Sequence, residues 1–235
     1  MNDFINYVIT YDSTFNARIS GASPEEIADL ERLVDHPLPE KYKQFLALMG
    51  HSDDELALAY QGSTDITAVR EYYAGLIEGE ETPPPSNCIV IGTGDISVGQ
   101  ICLELGHSEE PRVVFAMDKI ITGLYAETLE KLLFRRAFSK FRLRLLPESG
   151  IYTSAGPQLL FKASEKVARQ LNFTPQWFSD EAVFCGENIN AGVFIEQYQR
   201  KGIWIRIAAE SRVEVERTGR FFMNEVGVSF YQWLA

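Results

Sequence analysis

Two consecutive helix signals near the N-terminus constrain the fold of this chain more than any other feature. The run Ser23–Glu26 combines a serine that can cap a helix, a proline at the first helical position and a glutamate three residues after the serine. Pro39 suits the first turn of a second helix, and Gly50 suits its end. The pattern predicts one helix that ends near Asp35 and another within residues 36–50, each with one apolar face.

The residues that follow predict an antiparallel sheet and a closing helix. Three apolar, β-branched runs, Cys88–Ile91, Gln100–Leu105 and Arg112–Met117, are separated by glycine-containing or charged turns. A long amphipathic helix is predicted over Ala126–Leu146, with its lysines and arginines on a solvated face. Helices on both sides of a run of strands indicate an α+β fold in which an antiparallel sheet packs against helices.

The chain is expected to contain two parts. The segment 147–157, with the sequence PESGIYTSAGP, has the composition of a boundary. We therefore expect one domain at 1–148 and a C-terminal α+β region of unknown role at 149–235. That region is either an extension of the first domain or a second small domain.

Three features describe the expected structure of the C-terminal region. A helix is predicted over Pro157–Leu171, and strands are predicted between Ala182 and Val215. Two alternating runs within the strand segment are joined by a turn at Arg200-Lys201-Gly202, which predicts a hairpin. Residues 221–235 are rich in aromatic side chains and are expected to close the region with another helix.

The negative charge of the chain is concentrated in one segment. The formal net charge is −11, but residues 151–235 hold nine acidic and nine basic residues, so the excess lies within 1–150. Between residues 53 and 110 there are twelve acidic residues and a single basic one, Arg70. Such a surface repels nucleic acid and acidic membranes and attracts a basic protein partner. The alternative is that the acidic residues only keep the protein soluble, and composition does not decide between the two.

We assign the candidate partner-binding residues to this acidic segment because they lie in predicted polar turns and loops. The loop at 79–87 contains three consecutive prolines, which exclude regular structure and leave its glutamates exposed. The predicted role of the candidates is charge complementarity with a protein partner, without chemistry. The candidates are Asp53, Asp54, Glu55, Glu78, Glu80, Glu81, Asp95 and Glu109.

No motif in the sequence predicts catalysis, a metal or a cofactor. The three histidines, His36, His51 and His107, have no metal-ligand spacing and no cysteine near them in the sequence. Gly92-Thr93-Gly94 is not followed by the lysine and hydroxyl residue of a phosphate-binding loop. We therefore expect no catalytic residue, no metal ligand and no cofactor, although folding could still bring together residues that form an enzyme site.

The sequence also predicts where the protein acts. The N-terminal run MNDFINYVITYD has neither the basic nor the apolar region of a signal peptide, and no run of about 18 apolar residues predicts a membrane span. The three cysteines are far apart, as expected for reduced thiols packed in a core. We expect a cytoplasmic protein whose oligomeric state the sequence leaves open.

Several of these motifs together resemble a known family. The runs Ser23–Ile27, Leu38–Tyr42 and Thr128–Leu133 resemble the helix signatures of the SUKH superfamily, which includes the Smi/Knr-type cell-wall-assembly regulators. The runs Ile89–Gly92 and Ile101–Leu105 are similar to the central strands of that family. The resemblance covers about residues 20–145 of the chain.

The resemblance implies an α+β fold and a binding protein to which no catalytic residues transfer. Bacterial members resemble immunity proteins that neutralise polymorphic toxins, often nucleases, in the cytoplasm. Since a nuclease binds phosphate through a basic cleft, an inhibitor with a concentrated acidic face would complement it. The resemblance therefore implies an immunity protein, and the alternative that it leaves open is an intracellular regulator or scaffold with another protein partner.

Overall fold

A computed structural model describes residues 1–54, 56–59, 62–94, 99–106, 110–155, 159–198 and 202–234 of the protein. These residues form seven α-helices and ten β-strands. The helices are α1 (Asn2–Ile9), α2 (Pro24–Val34), α3 (Glu40–Met49), α4 (Ile66–Glu78), α5 (Leu129–Ala137), α6 (Leu159–Gln170) and α7 (Arg212–Val226). The strands are β1 (Cys88–Gly92), β2 (Gln100–Glu104), β3 (Arg112–Met117), β4 (Ile120–Ala126), β5 (Glu148–Ala155), β6 (Thr174–Pro175), β7 (Val183–Glu187), β8 (Ala191–Tyr198), β9 (Gly202–Ala209) and β10 (Ser229–Leu234).

The chain divides into two compact units, Met1–Arg136 and Ala137–Ala235. The first unit contains α1–α4, β1–β4 and most of α5, and the second contains β5–β10, α6 and α7. Each unit combines helices with one antiparallel sheet, which confirms the predicted α+β class and the additional C-terminal α+β region. The division into domains at 1–148 and 149–235 stays a prediction.

The two helix signals of the sequence both correspond to helices. Oγ of Ser23 accepts the backbone N–H of Glu26 at 3.2 Å, and Oε2 of Glu26 accepts the backbone N–H of Ser23 at 2.8 Å, so the capping box of α2 is complete. α3 lies between Pro39 and Gly50, as predicted. Gly50 nevertheless keeps a right-handed backbone, with a φ of −63°. Its small size is what matters, since a Cβ there would lie 2.8 Å from the Cβ of Ala22.

The sheet of the first unit has the strand order β1-β2-β3-β4, and all neighbouring strands are antiparallel. The three predicted strands are confirmed as β1, β2 and β3, whereas the sequence pattern did not predict β4. The β3–β4 turn consists of Asp118 and Lys119, with φ values of 49° and 67°, as in a type I′ hairpin turn. Because neither residue is a glycine or an asparagine, the sequence lacks the usual signal for this hairpin.

The predicted long helix over Ala126–Leu146 is wrong in its extent. α5 ends at Ala137 and is followed by a π turn at Phe138–Arg142 and a 3₁₀ turn. The prediction of a fully solvated basic face is also wrong at Arg135. This side chain is buried, and the carbon of its guanidinium lies 4.6 Å from the centre of the Tyr125 ring, where the aromatic face attracts the cation.

The second unit contains a six-stranded antiparallel sheet in the order β10-β5-β9-β8-β7-β6. Its internal strand β5, next to the edge strand β10, is formed by Glu148–Ala155, most of the segment whose composition suggested a boundary. Both α6 and α7 contact the sheet, and buried side chains such as Ile205, Ile207 and Phe222 form one core between them. The core residues alternate along β9, which is the pattern of a strand with one face against helices.

The C-terminal segment differs from its prediction. A helix over 221–235 was expected, but α7 ends at Val226, and Ser229–Leu234 pairs with β5 as an edge strand. Gly227, with a φ of 78°, ends the helix in the left-handed conformation that favours glycine. The expected hairpin between the two alternating runs is confirmed as β8 and β9, although residues 199–201 of its turn lie outside the described residues.

The capping box of α2 predicts a specific pH dependence of stability. The N–H of Ser23 and a hydrogen bond with His51 lower the pKa of Glu26 from 4.5 to about 2. The stabilisation by Glu26 is therefore complete above about pH 4.5 and is lost as the pH falls towards 2. We expect Glu26→Gln to reduce the free energy of unfolding at pH 5, and the difference from wild type to shrink to near zero around pH 2 in urea titrations.

Glu25→Gln, one residue earlier in the same helical turn, is the matched control for that experiment. It should leave the pH profile of stability between pH 5 and 2 close to that of wild type. A deficit in the Glu26→Gln protein that persists unchanged at pH 2 would contradict the role given to the ionised carboxylate.

Close contact between α7 and β5 predicts a sensitive position in the second unit. A Cβ at Gly219 would lie 2.0 Å from Oη of Tyr152, whose hydroxyl donates to the carbonyl of Val215 at 3.3 Å. We expect Gly219→Ala to lower the free energy of unfolding by about 1–3 kcal/mol through overpacking, despite the better helix propensity of alanine. Chemical denaturation of this variant beside Asn224→Ala, an exposed position of the same helix, measures the difference. Equal stabilities would contradict the close packing.

Candidate functional site: an acidic corner beside an apolar cleft

The structure separates the predicted acidic residues into two groups. Asp53 and Asp54 precede α4, whereas Glu78, Glu80 and Glu81 lie at its end. Since α4 has 13 residues, the two groups are separated by about 20 Å of helix. The other three candidates, Glu55, Asp95 and Glu109, lie outside the described residues.

The first group makes contacts within the chain. Both carboxylate oxygens of Asp54 accept from the guanidinium of Arg18, at 2.7 and 2.9 Å, and only 13% of the Asp54 side chain is exposed. Arg18 also pairs with Asp12 at 2.6 Å, and its hydrogen bond lowers the pKa of Asp12 to about 2. Asp53 accepts from the hydroxyl of Thr64 at 3.3 Å. These two aspartates therefore stabilise the loop between α3 and α4.

The second group lies on a fixed backbone, and we call Glu78, Glu80 and Glu81 the acidic corner. Gly79 adopts a φ of 79° and donates its N–H to the carbonyl of Leu76 at 3.3 Å. The N–H of Glu80 donates to the carbonyl of Gly75 at 2.8 Å. These two bonds form a Schellman motif, the C-terminal helix cap in which glycine takes the left-handed position.

Two further contacts hold the residues after this cap. The hydroxyl of Tyr72 donates to the carbonyl of Thr82 at 2.7 Å. Glu81 packs back over α4, and its Cγ lies so close to Gly75 that a Cβ on this glycine would be 2.9 Å away. All three glutamates of the acidic corner are exposed. The corner therefore presents three carboxylates on a backbone that is held in place, which limits the conformational entropy that a bound partner would remove.

The acidic corner is electrostatically unfavourable for the helix that carries it. The C-terminal end of a helix carries a partial negative charge, so acidic residues there reduce stability and basic ones increase it. α4 has no basic residue in its last turn, and its last residue is Glu78. Helix stability therefore does not explain why three glutamates lie within four residues at this helix end.

This electrostatic conflict can be measured without any partner. We expect Glu78→Gln to raise the free energy of unfolding by about 0.3–1 kcal/mol at low ionic strength, because it removes a negative charge from the negative end of the helix dipole. The gain should diminish in 1 M salt, since salt screens the interaction. Thermal unfolding at both salt concentrations tests it, with Glu71→Gln in the middle of α4 as the control. A lower stability of the Glu78→Gln protein would contradict the assignment.

An apolar cleft of about 410 Å³ lies next to the acidic corner, between the ends of α2 and α4 and the start of β1. Ile77, at the end of α4, is 73% exposed beside it. The described lining residues include no lysine and no arginine, and their titratable side chains are Asp35, His36, Tyr73 and Cys88. The cleft is lined by Leu33, Val34, Asp35, His36, Tyr73, Leu76, Ile77, Pro84, Pro85, Ser86, Cys88, Ile89 and Leu105.

The sequence did not indicate this cleft. Ile77 lies four residues after the buried Tyr73, so the helical pattern of α4 places it on the apolar face. The structure nevertheless leaves Ile77 exposed, because its neighbours in the cleft come from residues 33–36 and 84–89 and do not cover it. The one signal in the sequence was the run of prolines after the acidic corner, two of which form part of the cleft wall.

A second, polar cleft of about 390 Å³ lies at the other end of α4 and includes His51 and Asp53. Nε2 of His51 lies 3.0 Å from Oε1 of Glu26, and Nδ1 lies 3.6 Å from Oδ1 of Asp65. Glu26 caps α2, and Asp65 caps α4 by accepting the N–H of Thr67 at 2.7 Å. The histidine thus connects two helix caps, which is a structural role.

The described residues offer neither a metal site nor a membrane-spanning helix. Within the parts of the chain that the structure describes, no group of three or more histidine, cysteine, aspartate or glutamate side chains is arranged to hold a metal ion. Among the helices of the same residues, none has the length and apolar character needed to cross a membrane.

Comparison with models of protein families places part of the chain in a known family. Residues 21–135 match the model of the SMI1/KNR4 family (SUKH-1). The matched range contains the acidic corner and the apolar cleft, whereas the whole of the second unit lies beyond it. A search of the curated proteins finds none that matches the chain.

Proposed function

Because residues 21–135 belong to the SMI1/KNR4 family (SUKH-1), we propose that this protein is an immunity protein that binds a basic toxin domain through the acidic corner. Members of this family are generally non-enzymatic binding and immunity proteins. In this proposal the protein acts in the bacterial cytoplasm and neutralises a polymorphic toxin, for which a nuclease is the favoured class. The acidic corner is the observation that carries the proposal.

Charge is the physical argument for a nuclease partner. An enzyme that cleaves nucleic acid binds phosphates with lysine and arginine, so the surface around its active site is basic. Three exposed carboxylates on a fixed backbone complement such a surface and accelerate the encounter. The conflict with the helix dipole adds support, since these glutamates reduce the stability of α4 and require another reason to be there.

We centre the proposed interface on the acidic corner. Asp54 is paired with Arg18, and Asp53 binds the loop that contains Thr64, so their charges act within the chain. Glu78, Glu80 and Glu81 are the described candidates that are exposed. Glu55, Asp95 and Glu109 stay proposed contacts from the sequence alone.

A regulator or scaffold with a different protein partner is the second candidate function. The second unit favours it, because a folded α+β unit outside the family match could recruit another protein. Binding of the toxin separates the two candidates, because only the immunity protein must bind the toxin encoded beside its own gene.

Calorimetric titration against the product of the neighbouring gene tests the immunity function. We expect nanomolar affinity that weakens as the salt concentration rises, because exposed charges carry the recognition. Tight binding without salt dependence would support the immunity function but exclude the acidic corner from the interface. A lack of binding at either salt concentration would exclude this toxin as the partner and favour the scaffold function.

Reversal of the corner charges tests the interface. The variant with Glu78, Glu80 and Glu81 all changed to lysine should associate about tenfold more slowly at low salt and show a flatter salt dependence, because steering by opposite charge is lost. The control changes three exposed glutamates of the second unit, Glu181, Glu210 and Glu225, to lysine and alters the net charge equally. Equal association rates of the two variants would remove the acidic corner from the interface.

A further inference from the structure

The apolar cleft has the size and composition of a site for a side chain. Its volume of about 410 Å³ lies within the usual range of ligand sites, about 300–1,000 Å³. Leucine, isoleucine, valine and proline make up most of the lining, and Ile77 exposes 73% of its surface at the edge. An exposed isoleucine is ordinary by itself, but one continuous with an open apolar cleft marks a contact site.

The walls of the cleft are held by the fold, so the site exists before anything binds. Tyr73 lies in one wall, and its hydroxyl oxygen accepts a hydrogen bond from the backbone N–H of Val90 in β1 at 2.8 Å. Leu38, just after the α2 end of the cleft, donates its N–H to Oε1 of Glu31 at 2.9 Å. Pro85 is buried and has a restricted backbone. A site that needs little rearrangement retains more of the binding energy.

The charges around the cleft select the kind of ligand. The acidic corner follows Ile77 directly in the chain, and Asp35 also lines the cleft. The described lining contains no lysine or arginine that could hold an anionic group. A fatty acid, a nucleotide or an acidic peptide would meet repulsion here, whereas a positively charged segment would be attracted.

We infer that the cleft receives an apolar side chain of the partner protein, flanked in the partner by lysine or arginine residues that meet the acidic corner and Asp35. This inference rests on the proposed function and specifies the partner segment that the surface recognises. The apolar side chain supplies the buried anchor of the interface, and the surrounding charges supply the rate of encounter and the orientation.

Three short peptides act as probes of the full-length protein, because the partner is unidentified. Their sequences, with blocked ends, are KKWKK, KKGKK and EEWEE. Backbone amide NMR shifts of Leu76, Ile77 and Leu105 report on occupancy of the cleft. We expect saturable shifts with KKWKK, affinity at least about tenfold weaker for KKGKK, and no binding of EEWEE.

Ile77→Asp distinguishes an apolar anchor from attraction by charge alone. The substitution adds a negative charge, so a surface that binds only through charge would bind KKWKK more tightly. The inference predicts the opposite, a loss of about tenfold, because the apolar edge of the cleft is removed. Ile120→Asp is the matched control, since Ile120 is 65% exposed and lies on β4, at the sheet edge opposite β1. It should leave the affinity for KKWKK unchanged.

The results of these peptide titrations test the inference separately from the proposed function. Equal affinities for KKWKK and KKGKK would overturn the inference, and so would a higher affinity of the Ile77→Asp protein for KKWKK. Either result would still be compatible with the proposed function, because the acidic corner would bind the basic peptides by charge alone. Binding of KKWKK that persists when Glu78, Glu80 and Glu81 are changed to glutamine keeps the anchor site but removes the acidic corner from recognition. Absence of saturable shifts with every peptide overturns the inference.

Discussion

The arrangement of the first unit depends on one close crossing of the backbone near the end of α3. The N–H of Ala22, just before α2, donates to the carbonyl of Leu46 at 2.8 Å. A Cβ on Gly21 would lie 1.9 Å from a backbone oxygen of α3, so only glycine allows this approach. The carbonyl of Gly50 then accepts the N–H of Ile66, the first residue of α4, at 2.7 Å. The start of α2, the end of α3 and the start of α4 thus meet at one place, and the direction of α4 positions the acidic corner and the apolar cleft.

Charged side chains in this unit have different roles according to what surrounds them. Asp54 and Arg135 are nearly or fully buried, and each lies against a group that attracts its charge, the guanidinium of Arg18 and the face of the Tyr125 ring respectively. Burial without such compensation would cost several kcal/mol per charge, so these contacts belong to the fold. Glu78 and Glu80 are exposed at the negative end of a helix dipole, where they weaken the fold slightly and extend a negative field into solvent.

In the proposed interface, the acidic corner contributes to the rate of encounter and the cleft beside it contributes to affinity. Exposed charges accelerate the encounter and discriminate against partners of the same sign, but they contribute little net affinity in salt. An apolar side chain that enters a preformed cleft contributes affinity that salt does not screen. Their adjacency along the chain, at Ile77 and Glu78, means that the same helix end would supply both contributions.

Features that depend on near neighbours in the chain could be predicted from the amino-acid sequence. The capping box at Ser23, the start of α3 after Pro39 and the strands β1–β3 were predicted because a cap or an alternating strand is specified within a few residues. Local patterns also gave the α+β class and the position of an acidic segment. They failed at β4, whose turn lacks glycine, and at β10, whose aromatic residues suggested a helix.

The packing of distant segments determines which of the predicted acidic residues are exposed and where an apolar cleft opens. Asp54 is paired because Arg18, 36 residues away in the chain, reaches it, and no local pattern encodes that contact. The cleft forms from four stretches of the chain between residues 33 and 105, and Ile77 is exposed although its spacing from Tyr73 predicts burial. The physical reason is that capping and strand alternation depend on bonds between near neighbours, whereas exposure depends on how separate elements pack in space.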